Sequence, residues 1–577
     1  MSLHKLEPRR TIEAEGRAPP LRTRPPGAGR KVTGTLPVGQ NPDGHSVGIP
    51  LPLWSHFHAQ HYALPHETTV KYSATAQSAP LARPASTAPA SPVGTAIAAL
   101  LAAALGVAVF RGVTGYGFSQ DDWAGLARAS GLAARLPLGW RWISHQGFWD
   151  LAVGPLAGDA ALAHAAVLGA HAVAVILLVV LLARRLGPPA ALIGGTFFAT
   201  HFAQFTATFW LSANGDVIAT MLAIATVLAF ARRDLPRWLA MPLYACALLA
   251  KESVLGLPIA LAAMSALMPN DKPRPSWWRD RLLWTLAAVS LAWVALLRPG
   301  SSGAALGDTA YAIDLRAMLP NLLTYAAWTL NAWFPTVRDV SDRVAPEQSG
   351  WAFGLLAAWL AASCVPALRR RGVLAALGAY VALLLPVLVL GAHTYHYYLV
   401  IALPAAAALI AALADFAFTR APRAAAWVVA VTVAALLAWN GALLSDRIEN
   451  TPFKALGLRA DPIVDRALIA TNAVDDLRAA NLPNGANLAI WSPQSQAMSA
   501  NEGVPAEREG YYESNLRSAL LDGLALRVAL PQVGQAHFVR TFDPADSLSW
   551  WVVLRYDGHL RALAPGELAG VIARAEQ

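Results

Sequence analysis

Ten apolar runs follow one another between Val93 and Leu444, each sixteen to twenty-nine residues long. A hydrocarbon core about 30 Å thick takes roughly 20 residues of α-helix. Backbone polar groups at that depth must be paired within the structure itself, so the runs read as transmembrane helices. Composition agrees: only 14% of residues are charged, against about 25% in ordinary soluble domains. The mean hydropathy is +0.41. The chain is expected to be an all-α polytopic membrane bundle.

Basic residues set the expected direction of each run, because Lys and Arg accumulate on the cytoplasmic side. Val93 to Phe110 follows Arg-rich sequence and should run outward, leaving an external loop over 111–159. Ala160 to Ala183 returns to Arg184 and Arg185, Ala190 to Leu211 exits, and Asp216 to Ala231 comes back to Arg232 and Arg233. The next run, Leu239 to Leu267, has basic clusters on both sides, so one crossing would place a cluster outside. Two short helices forming a hairpin satisfy the rule, with the tip at Lys251 and Glu252 lining an externally accessible cavity. Leu282 to Leu297 exits, and Asp314 to Pro335 rests in the interface without crossing. Trp351 to Leu368 enters, Val373 to Leu390 exits, Leu399 to Phe416 enters and Ala424 to Leu444 exits. With the hairpin counted as two, about 11 spans result, the N-terminus inside and the C-terminus outside.

Soluble sequence flanks the bundle. Residues 1–92 hold fourteen of the forty prolines, ten Lys or Arg and five Asp or Glu, without sustained periodicity. Such a segment buries too little apolar surface to offset chain entropy, and is expected to be a disordered cytoplasmic extension. No apolar core near Met1 points to a cleaved signal peptide. His56, His58, His61 and His66 lie there between prolines that deny them a rigid metal-binding scaffold. Residues 445–577 carry twelve basic and sixteen acidic residues and read as a small α+β extracytoplasmic domain. Its helices are expected over Arg459 to Asn481 and Glu513 to Leu526, its strands over Ala486 to Trp491 and Trp550 to Arg555, and no chemistry is expected in it. A basic front and an acidic rear explain the net charge of +9 by membrane sidedness, so no nucleic-acid partner is expected. Cys246 and Cys364 sit inside apolar runs and read as core or lipid-facing residues, with no disulfide between them.

The same parity brings polar groups to one face. Asp121 and Asp122 lie in the external loop with Trp140, Arg141, Trp142, His145, Phe148 and Trp149, an aromatic density that fits either an interfacial amphipathic helix or a simple aromatic belt. Asn214 with Asp216, the Lys251 Glu252 tip and the His393 to Tyr398 cluster share that side. Ionised carboxylates near lipid are costly unless they have a partner or a task. Convergence on one face marks a site.

These residues resemble the GT-C glycosyltransferases, most closely the branch of tetratricopeptide-repeat O-mannosyltransferases and their bacterial relatives, without the repeats. Asp121 and Asp122 match that branch's acidic pair in the first external loop. His201, Trp210 and Asp216 fall in register with its His-Pro-x-x-x-Glu-x-Val-x-Trp-x-x-x-Arg-x-Asp segment, where Phe202, Thr206 and Asn214 depart from it. Leu248 to Glu252 matches its Lys-Glu tip, and Tyr395 His396 Tyr397 Tyr398 is a loose parallel of its Arg-Tyr-x-Tyr-x-Pro element. The similarity covers about residues 95–445.

The resemblance implies transfer of a hexosyl or pentosyl group, with inversion, from a polyprenyl-phosphate or polyprenyl-diphosphate donor. The acceptor is a hydroxyl of a protein, lipid or envelope glycan at the outer face of a bacterial inner membrane. One carboxylate of the pair serves as base, and Asp121 aligns with the family's first Asp. The other orients it or shares a divalent cation, Mg or Mn, with it. Lys251, Arg141, His145 and His396 are expected to receive the leaving phosphate, and Glu252, His201, Asn214, Asp216, Tyr395 and Tyr398 to line the substrate. Lys251 and Glu252 could alternatively form a buried ion pair that fixes the hairpin. Two readings from other classes stand beside the enzyme: a transporter or flippase of lipid-linked sugars, and a non-catalytic scaffold of the same fold.

Overall fold

A computed structural model describes residues 91–231, 236–267, 277–301, 313–330, 354, 357, 361, 371–391, 394–449, 461–491, 515–539, 549–554, 559–568 and 570. Residues 1–90 of the expected disordered extension with its histidines, most of the expected span Trp351 to Leu368 with Cys364, and His393 lie outside these residues; the last two residues of that extension, Ser91 and Pro92, cap and open the first helix instead.

The described chain is mostly helical. In order it forms α1 (Pro92–Phe110), α2 (Asp122–Ala129), α3 (Phe148–Val153), α4 (Ala160–Leu186), α5 (Pro188–Thr200), α6 (Gln204–Phe209), α7 (Asn214–Ala231), α8 (Ala240–Ala250), α9 (Leu257–Leu267), α10 (Arg281–Ser301), α11 (Met318–Thr329), α12 (Arg371–Leu388), α13 (Leu403–Arg420) and α14 (Ala425–Glu449). Then come α15 (Pro462–Ala479), β1 (Ala486–Trp491), α16 (Leu524–Ala529), β2 (Val533–Val539), β3 (Trp550–Leu554) and β4 (Leu560–Leu563). Five helical segments among the described residues are long and apolar enough to cross a membrane, Pro92–Gly115, Ala160–Leu186, Leu211–Ala231, Leu403–Arg420 and Pro422–Glu449. Cys246 is a free, half-buried thiol.

Local chemistry sets the ends of these helices. Ser91 accepts from the Gly94 N–H and Asp159 from the Leu162 N–H, each pairing an N-terminal donor that the helix leaves open. Gly187, at φ +80, turns the chain after α4, and Pro188 begins α5 at once. Nearly all of α5 is buried, because it packs against α1, α4, α13 and α14. Gly194 makes this approach feasible: a Cβ there would meet the Ala407 carbonyl at 2.6 Å. Small residues are the usual way membrane helices come close.

The run from Ala190 to Leu211, expected as one span, is instead interrupted. His201 is extended, at φ −60 and ψ 132, and the chain resumes as α6 and a short 3₁₀ turn, Leu211–Ala213. Side chains pair the freed backbone donors: the Phe202 N–H donates to Asn440 Oδ1 at 3.1 Å and the Ala203 N–H to His201 Nδ1 at 3.1 Å. Non-helical backbone is sustainable inside an apolar bundle on that condition.

The hairpin over Leu239 to Leu267 is present. Helix α8 ends at Lys251, whose backbone is extended, and a 3₁₀ turn, Glu252–Gly256, leads into α9. Arg237 just before α8 pairs with Asp280 just before α10 at 2.7 Å, and Tyr244 meets Ser290 at 2.5 Å. Thus α8 and α10 run side by side in the same direction. Helix α9 runs antiparallel to α12, with Gly256 against the Ala382 backbone and Gly378 against Ala263. Both arms pack on α10, while α8 also packs on α7 and α9 on α12, with Lys251 at the bend.

After α14 the chain forms a small sheet in the order β2-β1-β3-β4, parallel except for β4. The helix expected over Glu513 to Leu526 is split, because Leu521, Asp522 and Gly523 all have positive φ. Gly523 sits where a Cβ would lie 2.9 Å from the Ala536 carbonyl. Strand β2 buries only Val533 and Ala536, too few positions to mark it in the sequence.

Candidate functional site

Gln120 lies in the left-handed region at φ +54, an uncommon choice for a residue with a Cβ. That turn sends its two acidic successors different ways. Asp122 opens α2 and is buried; its Oδ2 accepts from the Ser119 N–H at 3.0 Å, and its Oδ1 from the Ser212 N–H at 2.8 Å and hydroxyl at 2.7 Å. Asp121 is exposed. Burial raises the Asp122 pKa to about 7, against the lowering effect of its three donors and helped by the adjacent Asp121 charge. Asp121 is also raised, by desolvation, while Arg128 two turns along α2 pulls it down.

Arg128 ties α2 to the next part of the site by donating to the His145 carbonyl at 3.1 Å. His145 lies in a π-helical turn, Ile143–Gly147, that runs directly into α3. Just before it Arg141, at φ +50, makes a two-pronged pair with Glu252, Nε donating to Oε2 at 2.7 Å and Nη2 to Oε1. Ser144 donates to the Ala250 carbonyl at 2.8 Å, and Asn214 donates through Nδ2 to the Ser144 and Leu211 carbonyls at 3.2 and 2.7 Å. The external loop is thereby fastened to the hairpin bend and to the start of α7. Desolvation and the Arg141, Lys251 and Arg128 charges push the His145 pKa down to about 3, so its imidazole is neutral at pH 7. Ser144 Oγ stands 3.0 Å from His145 Nδ1. With the Ser144 hydrogen on Ala250, Nδ1 carries the imidazole proton and Nε2 is an acceptor.

Lys251 is buried and donates to Asp216 Oδ2 at 3.0 Å, with the Tyr397 and Tyr398 rings 5.3 and 5.6 Å from its Nζ. The pairing is therefore crossed: Lys251 binds Asp216, and Glu252 binds Arg141. An ion pair between Lys251 and Glu252 is not what fixes the bend. Tyr395 stacks on Tyr397 at 5.2 Å.

The structure joins Asp121, Asp122, Arg141, His145, Asn214, Asp216, Lys251, Glu252, Tyr395 and Tyr398 into one connected set. His201 and His396 have other partners. His201 Nε2 bonds the Thr329 carbonyl at 3.0 Å. His396 stacks on Trp328 at 3.8 Å and meets Phe202 edge-on. Sequence reasoning passed over Arg128, Ser212 and Gln120. Arg128 was within reach of it, since a residue seven positions after Asp121 returns to the same helical face; the contact with Ser212 spans ninety residues and has no local signature.

A divalent cation needs several unengaged oxygens. Asp122 already gives Oδ1 to two donors and Oδ2 to a third, and Asp121 lies in the field of Arg128. As arranged, the pair does not fit a shared ion, and among the described residues no three His, Cys, Asp or Glu side chains group as metal ligands.

Compared with family models, curated proteins and solved structures, the chain matches none of them.

Proposed function

We propose that this membrane protein is an inverting glycosyltransferase that uses a polyprenyl-phosphate sugar and an acceptor hydroxyl. The observation that carries the reading is the contrast between the two acids. Asp122 is locked by Ser119 and Ser212, while its neighbour Asp121 stands exposed at the edge of a cluster containing Arg128, Arg141, His145 and Lys251. In this reading Asp121 takes the acceptor proton as that oxygen attacks the anomeric carbon. The carbon–oxygen bond to phosphate breaks on the opposite face, which gives inversion. Arg128 and Arg141 offset the charge growing on the leaving phosphate. Lys251 adds to that field while bonded to Asp216, and the neutral His145 ring accepts a hydrogen bond from a sugar hydroxyl through Nε2 in this reading. The loop of residues 111–159 would face the outside of a bacterial inner membrane, with the C-terminal domain on the same side.

The direct experiment incubates purified protein, in lipid nanodiscs, with polyprenyl-phosphate hexoses and pentoses and a panel of glycan, lipid and peptide acceptors. Acceptor-dependent release of polyprenyl phosphate supports the reading; release from no combination counts against it.

One observation favours a second reading, a non-catalytic scaffold of the same fold. Lys251 with Asp216 and Arg141 with Glu252 form two complete ion pairs, which could serve only to hold the bend. A scaffold would retain its function when each pair is replaced by neutral isosteres. A transferase would not.

A further inference from the structure

We infer that Arg466, in the C-terminal domain, is a positioning residue that sets the aim of Asp121 through Gln120, an assignment that rests on the transferase reading. Three hydrogen bonds and one close approach hold the residues around the acidic pair. The Gln120 N–H donates to the Ala519 carbonyl at 3.0 Å, and Gln120 Oε1 accepts from Arg466 Nη1 at 2.9 Å. The Trp123 indole N–H donates to that same Ala519 carbonyl at 3.0 Å. Gly117 lies so close to α15 that a Cβ there would collide with Thr471 Oγ1.

Arg466 is itself aimed, because its Nε donates to Oδ1 of the buried Asn515 at 3.0 Å. The grip falls on 117, 120 and 123, on either side of Asp121 and Asp122. Gln120 is held from both its backbone and its side chain in a conformation that costs a non-glycine residue free energy and persists only where its surroundings enforce it. Releasing Gln120 lets the chain leave φ +54, and the direction of the next carboxylate changes with it. The C-terminal domain carries no chemistry of its own in this assignment; it completes the geometry of the site.

The test uses the full chain in nanodiscs and the variants Arg466→Met and Arg466→Lys. Arg466→Met should lower kcat by about tenfold or more, in keeping with the cost of a displaced catalytic group. The donor KM should stay within about twofold and the unfolding temperature should barely move. Arg466→Lys, which keeps one donor, should recover part of the loss. A loosened loop also changes the distances from Asp121 to its charged neighbours Arg128 and Asp122, so the acidic limb of kcat/KM should shift. A purely structural Arg466 would leave that limb in place. Hydrogen exchange provides a readout independent of turnover: amides of residues 117–126 should exchange faster in Arg466→Met. Unchanged kcat, pH limb and exchange overturn the assignment. If the wild type transfers no sugar, the transferase reading falls, and the exchange measurement still decides whether Arg466 holds the loop.

Discussion

Asp122 binds Ser212 across ninety residues of chain, with Oδ1 accepting from its N–H at 2.8 Å and its hydroxyl at 2.7 Å. This one contact joins the start of α2 to the turn that begins α7. Asp121 is thereby separated in role from its neighbour, because the strut holds the backbone from which it projects.

The strut leaves a mark on stability. An aspartate in the unfolded chain titrates near pH 4, whereas Asp122 in the folded protein titrates at about 7. A raised carboxyl pKa means that the folded state binds its proton more tightly. The associated stability is fully present below about pH 4 and is lost as pH rises through about 7. Asp122→Asn should flatten this part of the dependence in thermal unfolding between pH 4 and 8. Asp122→Ala should destabilise at all these pH values by about 1–3 kcal/mol, since buried donors lose their acceptor.

Lys251 and Asp216 give a second test. Lys251→Met leaves a buried carboxylate without its cation and should cost about 3–5 kcal/mol. Adding Asp216→Asn should restore most of that loss in denaturant unfolding. Transfer activity should remain depressed in the double variant, because the cationic field at the bend is gone. Full recovery of activity would move Lys251 out of the site and into the frame.

Packing behind the bend is tested by Gly256→Ala. A Cβ there would collide with the Ala382 carbonyl oxygen, backbone against backbone, with no side chain able to move aside. Overpacking of this kind costs about 1–3 kcal/mol, here separating α9 from α12. Gly441→Ala, where a Cβ meets nothing within 4 Å, should have little effect in the same melt.

Sidedness can be measured directly. Leu138 is 71% exposed in the loop that carries the acidic pair. Leu138→Cys, in a background without Cys246 and Cys364, should react with a membrane-impermeant maleimide added to the periplasmic side of intact cells. Reaction only after the cytoplasmic side is opened would invert the proposed orientation.

Much of the frame was legible because it rests on local chemistry. Apolar length marked the five helical segments able to cross a membrane among the described residues, fewer than the eleven spans expected, and basic residues on both sides of Leu239 to Leu267 marked the bend at Lys251. The break at His201 was hidden, because nothing local distinguishes it: its freed donors are paired by its own ring and by Asn440, more than two hundred residues away. The site divided along the same line. Convergence of the acids, the loop and the bend was the expectation from parity, and contacts do link these residues in the fold. Partner choice did not, because Lys251 with Asp216 and Arg141 with Glu252 depend on where α7 and the π-helical turn sit around the bend. His396 shares its segment with Tyr397 and Tyr398, yet it faces Trp328, since one residue along a 3₁₀ turn reverses much of the direction.

The central claim is that Asp121, and not Asp122, takes the proton. Its most direct measurement is acceptor-dependent release of polyprenyl phosphate by wild type and Asp121→Asn, with folding checked by thermal unfolding. Asp121→Asn should lose at least about 100-fold in turnover with an unchanged unfolding temperature. An Asp121→Asn protein that turns over at the wild-type rate contradicts the account.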